Sequence, residues 1–113
     1  MNMTVYDSGD IIIRQGDSGN CMYYILAGKV GVFLDHGTAR QKNVAELAEE
    51  QFFGEMSLLN QAPRSATVVA LEDNTCVQAI SRENFKEFCT EYPERVFAIM
   101  QQLSERLRTA ISG

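Results

Sequence analysis

One acid and one arginine, Glu55 and Arg64, stand nine positions apart on either side of a short polar turn. Gly54 precedes the acid, and because glycine has no Cβ the backbone can bend there and approach a ligand closely. The guanidinium group of Arg64 is a permanently charged fork that suits phosphate oxygens. An ionised Glu55 carboxylate only accepts hydrogen bonds, so it would repel a phosphate and bind a sugar hydroxyl. Together these residues indicate a sugar-phosphate site.

The residues around this pair supply further donors and space. A helix-compatible run over 56–59 follows the acid, and the first amides of such a helix have no partner within it. Ser65 adds a hydroxyl, and small side chains at Ser57, Ser65 and Ala66 leave room for a bound molecule. The alternative interpretation is a buried ion pair between the acid and the arginine that braces the turn.

Composition and charge describe an acidic globular domain. The 113 residues are 45% hydrophobic and 22% charged, as is usual for one domain with its own core. A net charge of −5 disfavours nucleic acid as a partner. No apolar run approaches the roughly 20 residues that span a bilayer, and the N-terminus lacks the pattern of a signal peptide. We therefore expect no nucleic-acid or membrane partner.

The residues that build metal and catalytic sites are sparse. Cys21, Cys76 and Cys89 are widely spaced in apolar contexts, which favours reduced thiols and a cytoplasmic location. His36 is the single histidine, so a three-histidine metal site cannot be built within the chain. No Cys-His or Ser-His-Asp arrangement is convincing. We expect no metal, no cofactor and no enzymatic activity.

Hydrophobic periodicity divides the chain near residue 81. Short strands separated by glycine-containing turns are predicted over 11–13, 21–26, 30–34, 41–47, 66–71 and 75–80. Ser81 is predicted to cap a first helix, and Pro93 to begin a second. The second helix carries an apolar seam of Val96, Met100, Leu103, Leu107 and Ala110 or Ile111. We expect this seam to pack on the domain's own roll more than on a partner. Arg106 and Arg108 flank Leu107 and could reach a ligand, but we favour solvated surface charges.

Two sequence runs, GEMSL at 54–58 and PRSATV at 63–68, closely resemble the phosphate-binding cassette of cyclic nucleotide-binding domains. These domains regulate kinases, channels and bacterial transcription factors of the catabolite-activator type. Residues 16–19 and 22–30 resemble the early β-roll signature of the same family, and the likeness extends over residues 5–109. It implies a mainly β fold with C-terminal helices, namely an antiparallel, jelly-roll-like β-roll (a double-stranded β-helix) with a helical lid.

The resemblance also implies boundaries. We expect a single domain over 1–113, with the β-roll over about 5–81, the cassette over 53–68 and the C-terminal helices over about 82–110. We also expect the helix that usually precedes the roll to be nearly absent, and we expect no DNA-reading helix-turn-helix after Gly113.

Roles for individual residues follow from the resemblance alone. Glu55 would accept the ribose 2′-hydroxyl, and Arg64 would pair with the cyclic phosphate. Some combination of the backbone amides of Gly54, Met56, Ser57 and Ala66 would also donate hydrogen bonds to the phosphate. Val32 and Val44 would line the base pocket, although an ordinary core role fits them equally well. Ser65 does not decide the base, because a hydroxyl there occurs in domains that prefer cGMP and in others that prefer cAMP.

The expected function is a cytoplasmic cyclic nucleotide sensor, with cAMP favoured over cGMP by analogy. Ligand binding would tighten the cassette, and Leu58 or Leu59 would repack against the C-terminal helices. The last helix is a candidate for homodimerisation, and the effector protein is unknown. The alternative is a β-roll that binds no nucleotide and serves as a protein-interaction or oligomerisation module.

Overall fold

The computed structural model describes residues 2–112, so the two ends of the predicted domain, residues 1 and 113, lie outside it. Within these residues, six strands precede one short helix, two strands follow it, and two further helices come last. The strands are β1 Asn2–Tyr6, β2 Ile11–Ile13, β3 Cys21–Ala27, β4 Lys29–Leu34, β5 Lys42–Ala48, β6 Phe52–Phe53, β7 Thr67–Ala70 and β8 Thr75–Ser81. The helices are α1 Glu55–Asn60, α2 Phe85–Glu91 and α3 Pro93–Ser112.

The strands form two four-stranded sheets in the orders β1-β8-β3-β6 and β2-β7-β4-β5. Every pairing is antiparallel, which confirms the predicted mainly β roll with C-terminal helices. One apolar cluster lies between the sheets and draws on both of them, with Ile25, Val30, Leu47, Phe53, Val68 and Val77 buried in it. The sheets therefore enclose the inner core of the roll.

A second apolar cluster joins the helices to the outer face of the first sheet. In β3, Tyr23 and Ile25 belong to the inner cluster, whereas Met22 and Tyr24 belong to the outer one, as expected when successive side chains alternate. The outer cluster also contains Phe52, Leu58, Ile80, Phe88 and Ile99. Leu58 comes from α1, so this cluster connects the short helix at the candidate site with α2 and α3.

The first predicted helix boundary is wrong. Ser81 is the last residue of β8 and pairs with Cys21 in the β-ladder. Its hydroxyl oxygen accepts the Asn84 N–H at 3.3 Å within a turn, and α2 begins only at Phe85. The strand pairing holds Ser81 in extended backbone and so delays the helix. Pro93, by contrast, begins α3 as predicted.

The predicted seam of α3 divides between the core and solvent. Val96 and Leu103 pack against the outer cluster around buried Ile99. Met100 and Leu107 are each 62% exposed, so their predicted packing on the domain is wrong. The rotation of α3 about its own axis explains the difference. Its Ile99 side faces the roll, and the opposite edge of the seam therefore lies in solvent.

Two strands were not predicted. The first, β1, pairs along β8 from Asn2 to Tyr6, so the roll begins before residue 5. The second, β6, consists of Phe52 and Phe53 alone, and it pairs with β3 immediately before the acid of the candidate site. This short pairing fixes where the following turn leaves the sheet.

Candidate functional site

The candidate site begins at the turn between β6 and α1. Gly54 has a φ of +80°, the left-handed region that favours glycine, and the chain enters α1 directly at Glu55. A Cβ on Gly54 would also lie 2.8 Å from Nη1 of Arg64. At the other end of α1, the buried Ser57 hydroxyl donates to the Ala62 carbonyl at 2.8 Å. The turn between the acid and the arginine is therefore closed by its own hydrogen bonds.

Arg64 is a buried cation whose neighbours are carbonyl oxygens. Its side chain is 7% exposed, and Nη1 donates to the Cys21 carbonyl at 2.8 Å and the Gly54 carbonyl at 3.1 Å. Nη2 lies 3.5 Å from the Cys21 sulfur. Within residues 2–112, no carboxylate lies within 4.0 Å of this guanidinium. Because a buried charge is costly without a counter-charge, the arrangement favours an anion from outside the chain.

Tyr23 completes the surroundings of the arginine. The Arg64 Cζ lies 5.7 Å from the centre of the Tyr23 ring, which itself stacks on Phe53 at 5.1 Å between ring centres. Burial raises the pKa of the Tyr23 hydroxyl, and its hydrogen bond with Cys21 adds to that shift. Tyr23 is thus a neutral aromatic wall beside the cation.

Glu55 pairs with an arginine that the sequence did not assign to the site. Its carboxylate lies 3.7 Å from Nη1 of Arg106, and its side chain is 17% exposed. Nη2 of Arg106 donates to the Phe52 carbonyl at 2.9 Å, and its Cζ lies 4.2 Å above the Phe52 ring. Burial lowers the pKa of Arg106, whereas the nearby Glu55 carboxylate raises it. Arg106 is therefore part of the site, and its interpretation as a solvated charge is wrong.

The structure also tests two other predictions about charged side chains, an ion pair between Glu55 and Arg64 and a solvated Arg108. Glu55 and Arg64 do not form an ion pair in the described part of the chain, so the alternative of a buried pair bracing the turn is wrong. Arg108 is exposed and pairs with Glu105 one turn away on α3, in agreement with a solvated charge.

A cavity of about 480 Å³ joins these groups. All nine residues that the sequence singled out line it, although their contacts with a ligand remain a prediction. They are Val32, Val44, Gly54, Glu55, Met56, Ser57, Arg64, Ser65 and Ala66. Volumes of this size accommodate small organic ligands.

The cavity is lined by charged and by apolar side chains. Arg64 and Glu55 supply charge, whereas strands β2, β4, β5, β6 and β7 supply apolar walls. The walls are formed by Ile13, Val32, Val44, Ala45, Leu47, Phe53 and Val68. Val44 is 44% exposed, so it lies at the open rim and not in the core. An anionic group and a flat apolar group of one ligand would both find suitable surroundings.

Helix α3 supplies three lining residues, namely Glu105, Arg106 and Thr109. The sequence offered Arg106 only as the less favoured alternative of a charge that could reach a ligand, and it singled out neither Glu105 nor Thr109. A signal was present for one of them. Arg106 follows buried Ile99 by two helical turns, so both residues lie on the same face of the helix. The direction in which that face points depends on how α3 packs, and that packing is not written in the local sequence.

Within residues 2–112, no group of three His, Cys, Asp or Glu side chains is arranged so that it could hold a metal ion. None of the helices in this part of the chain has the length and apolar character needed to cross a membrane. Cys21, Cys76 and Cys89 are free thiols, each partly exposed.

A comparison with protein families decides the relationship. The profile described as "Cyclic nucleotide-binding domain" matches residues 3–92. The chain belongs to the cyclic nucleotide-binding domain family. It is accordingly a regulatory domain of the type found in catabolite activators and in cAMP-dependent kinase regulatory subunits, and the family binds small cyclic nucleotides.

Individual relatives of this cyclic nucleotide-binding domain agree with that result. The Cyclic AMP receptor protein of Thermus thermophilus is 37% identical over 106 residues, which covers 94% of this chain and 49% of the relative. The human cGMP-dependent protein kinase 2 is 30% identical over 95 residues, covering 83% and 12%. The crystal structure of the Thermus thermophilus Catabolite Activator Protein superposes with a TM-score of 0.79 at 35% identity, covering 96% of this chain and 51% of that one.

The cyclic nucleotide-binding domain described here spans half or less of the length of these relatives. The likeness to the solved structure extends over both sheets and the C-terminal helices, because it covers 96% of the chain.

Proposed function

We propose that this chain is a non-catalytic sensor that binds cAMP in the cavity between the β-roll and α3. One observation carries the proposal, namely the buried guanidinium of Arg64, which faces the cavity without a carboxylate partner among residues 2–112. A cyclic phosphate is the anion that suits both this fork and the family to which the chain belongs.

Arg64 binds the cyclic phosphate in this proposal. Arginine has five N–H donors, and the three contacts with Cys21 and Gly54 leave two of them for phosphate oxygens. Further donors line the same cavity. They are the backbone amides of Gly54, Met56, Ser57 and Ala66 and the hydroxyl of the exposed Ser65. Each charge-assisted hydrogen bond contributes roughly 1.5–3 kcal/mol.

Glu55 accepts the ribose 2′-hydroxyl. Its carboxylate has two oxygens, so the contact with Arg106 leaves acceptor capacity for the sugar. Arg106 fixes the direction of the carboxylate from the α3 side. The ribose therefore lies where the 53–68 segment and α3 meet.

The base lies against the apolar walls near Val32 and Val44. None of the strand residues that form these walls has a side chain that would distinguish adenine from guanine by hydrogen bonds. We favour cAMP, in line with the cyclic AMP receptor protein that is 37% identical to the chain. The alternative ligand is cGMP, in line with the relative that is a cGMP-dependent kinase.

Signal transmission runs through Leu58. Leu58 is 2% exposed and packs in the outer cluster with Phe88 and Ile99, whereas Leu59 is 47% exposed. Tightening of the segment around a phosphate moves α1, and Leu58 transfers that displacement to α2 and α3. Ligand binding thus shifts the population of α3 positions.

The wider setting is also part of the proposal. Residues 1–113 form one cytoplasmic domain that acts on an effector protein without binding nucleic acid or membrane. A second copy of the chain pairs along the outer stripe of α3, defined as Phe97, Met100, Leu107 and Ile111, which are all exposed. These residues follow steps of three, seven and four, the spacing of an a/d seam with one polar position, Ser104.

Thermal unfolding with added nucleotide tests the proposal against the alternative of a silent interaction module. A competent domain is stabilised by mass action, so its unfolding temperature should rise with cAMP concentration and rise less with cGMP. Linear 5′-AMP is the control, because it lacks the cyclic phosphate. Equal unfolding temperatures in all three nucleotides, from protein freed of nucleotide by refolding, would favour the silent module.

A further inference from the structure

The turn formed by residues 16–19 does not line the cavity, yet it contacts Arg64 at three points. The Gly16 N–H donates to the Arg64 carbonyl at 2.8 Å, and the Arg64 N–H donates to the Asp17 carbonyl at 2.8 Å. Gly19 lies against the guanidinium itself. A Cβ on Gly19 would stand 2.4 Å from Cζ and Nε of Arg64 and 2.6 Å from Nη2. The turn therefore holds both the backbone and the charged end of the arginine.

Gly19 and Gly16 are glycines for different reasons. Gly16 has a φ of +89° with nothing near its missing Cβ, so the backbone conformation accounts for it. Gly19 lies outside the positive φ region, where a side chain is compatible with the backbone. What excludes a side chain at Gly19 is the Arg64 guanidinium.

We infer that Gly19 is a positioning residue for nucleotide binding, because the space left by its missing Cβ sets where the Arg64 guanidinium lies. The inference rests on the proposed role of Arg64 in binding the phosphate. Other contacts prevent the guanidinium from moving aside without loss. Nη1 is fixed by the carbonyls of Cys21 and Gly54, and the Tyr23 ring lies beside Cζ.

A methyl group at position 19 therefore displaces the guanidinium and breaks its contacts with those carbonyls. The affected atoms are the far end of a flexible side chain, so the fold itself should accept the change. The G19A variant should remain folded without nucleotide, with an unfolding temperature lowered by the lost hydrogen bonds of the buried guanidinium, yet bind cAMP at least tenfold more weakly. The S18A variant changes an exposed neighbour in the same turn and should bind as the wild type does.

A double-mutant cycle separates positioning from general damage to the turn. G19A, R64K and the double variant are titrated with cAMP by calorimetry. If Gly19 acts through the guanidinium, G19A should cost at least tenfold in the wild-type background and less than twofold in the R64K background, where the planar fork is absent. Equal fold losses in both backgrounds would overturn the inference, because the effect would then not depend on the planar group.

The Arg64 Nε–H resonance of the ligand-free protein tests the inference independently of the proposed function. The Arg64 Nε–H resonance, assigned by its loss in R64K, should shift in G19A and stay unchanged in S18A. An unchanged resonance in G19A would overturn the positioning role, whatever the nucleotide affinity. A shifted resonance in protein whose wild type binds neither cAMP nor cGMP would support the positioning of Arg64 and overturn only the proposed function.

Discussion

At the scale of single residues, the two charges of the site are in different situations before any ligand arrives. Arg64 is buried among carbonyl oxygens without a carboxylate within 4.0 Å in the described chain. Glu55 already has a cationic neighbour, Arg106. The cost of burying a charge therefore falls on Arg64, and the proposed phosphate would relieve it. Glu55 is the oriented acceptor that the proposal assigns to the ribose.

Replacement of Glu55 by glutamine tests the ribose contact. E55Q keeps the shape of the side chain but loses the charge that strengthens its hydrogen bond with a sugar hydroxyl. We expect the Kd for cAMP to rise by between about 10- and 100-fold, the equivalent of one charge-assisted hydrogen bond. The measurement is calorimetric titration.

The matched control for E55Q is 2′-deoxy-cAMP, which lacks the hydroxyl in question. The wild type and E55Q should bind this analogue with similar affinity. If E55Q weakened both ligands by the same factor, Glu55 would act through the pairing with Arg106 and not through the ribose.

Residues close together in the sequence were the predictable part of the site. Gly54, Glu55 and Arg64 belong to one segment whose turn is closed by local hydrogen bonds, so their residue types and spacing already indicate their proximity. Arg106 approaches Glu55 only because α3 packs with its Ile99 side on the roll. That choice of face depends on the shape of the outer cluster, which the sequence pattern of α3 alone does not contain.

At the scale of secondary structure elements, α3 is attached to the strand region ahead of the site. Gln102 donates to the Glu50 carbonyl at 2.9 Å, and Arg106 donates to the Phe52 carbonyl at the same distance. On the same helix, Val96, Ile99 and Leu103 pack in the outer cluster. Arg106 is thus a polar attachment of α3 to the roll beyond the last of these apolar contacts.

Truncation of Leu58 tests the connection between α1 and the C-terminal helices. L58A removes a buried side chain from the cluster that contains Phe88 and Ile99, so the free energy of unfolding should fall by about 2–5 kcal/mol. L59A removes the same atoms from a side chain that is 47% exposed and should cost far less. Chemical denaturation measures both, and equal losses would contradict the assignment of Leu58 as the connecting residue.

Replacement of Arg106 tests the attachment of α3. R106M keeps an unbranched apolar side chain but removes the guanidinium, and with it the contact over the Phe52 ring, the hydrogen bond with the Phe52 carbonyl and the pairing with Glu55. Amide hydrogen exchange should become faster in the second half of α3 while the first half stays protected. R108M, which alters an exposed arginine of the same helix, is the control and should leave exchange unchanged.

Two differences between the predicted and the observed strands come from pairing between residues that are far apart in the sequence. Ser81 has the residue type of a helix cap, yet strand pairing with Cys21 holds it in β8. β1 carries the alternation of Met3 and Val5 with polar neighbours, a strand signal that is visible only once β8 is known to need a partner. Long-range pairing overrode the local pattern at Ser81 and completed a weak local pattern in β1.

At the scale of the whole molecule, α3 packs on the roll with one side and exposes an apolar stripe on another. The outer stripe of α3, Phe97, Met100, Leu107 and Ile111, is between 62% and 77% exposed. A two-stranded helix pair would cover it. In the proposed dimer, the contact between subunits would lie on α3, the helix that the proposal expects to shift on ligand binding.

A charge on the outer stripe tests that dimer. L107K places a lysine at an exposed position of the stripe and should shift the protein toward monomer in sedimentation equilibrium, because pairing would bury the charge. T90K adds the same charge to an exposed position on α2 and should leave the association unchanged. A wild type that stays monomeric over the whole concentration range would contradict the dimer.

Calorimetric titration of refolded, nucleotide-free protein with cAMP and cGMP tests the central claim most directly. The account predicts saturable binding of cAMP, weaker binding of cGMP, and loss of both in R64A. The ligand-free R64A protein should remain folded by circular dichroism, so that the loss reports on the phosphate contact. Binding of cAMP that R64A leaves intact, or no binding of either nucleotide by the folded wild type, would contradict the account.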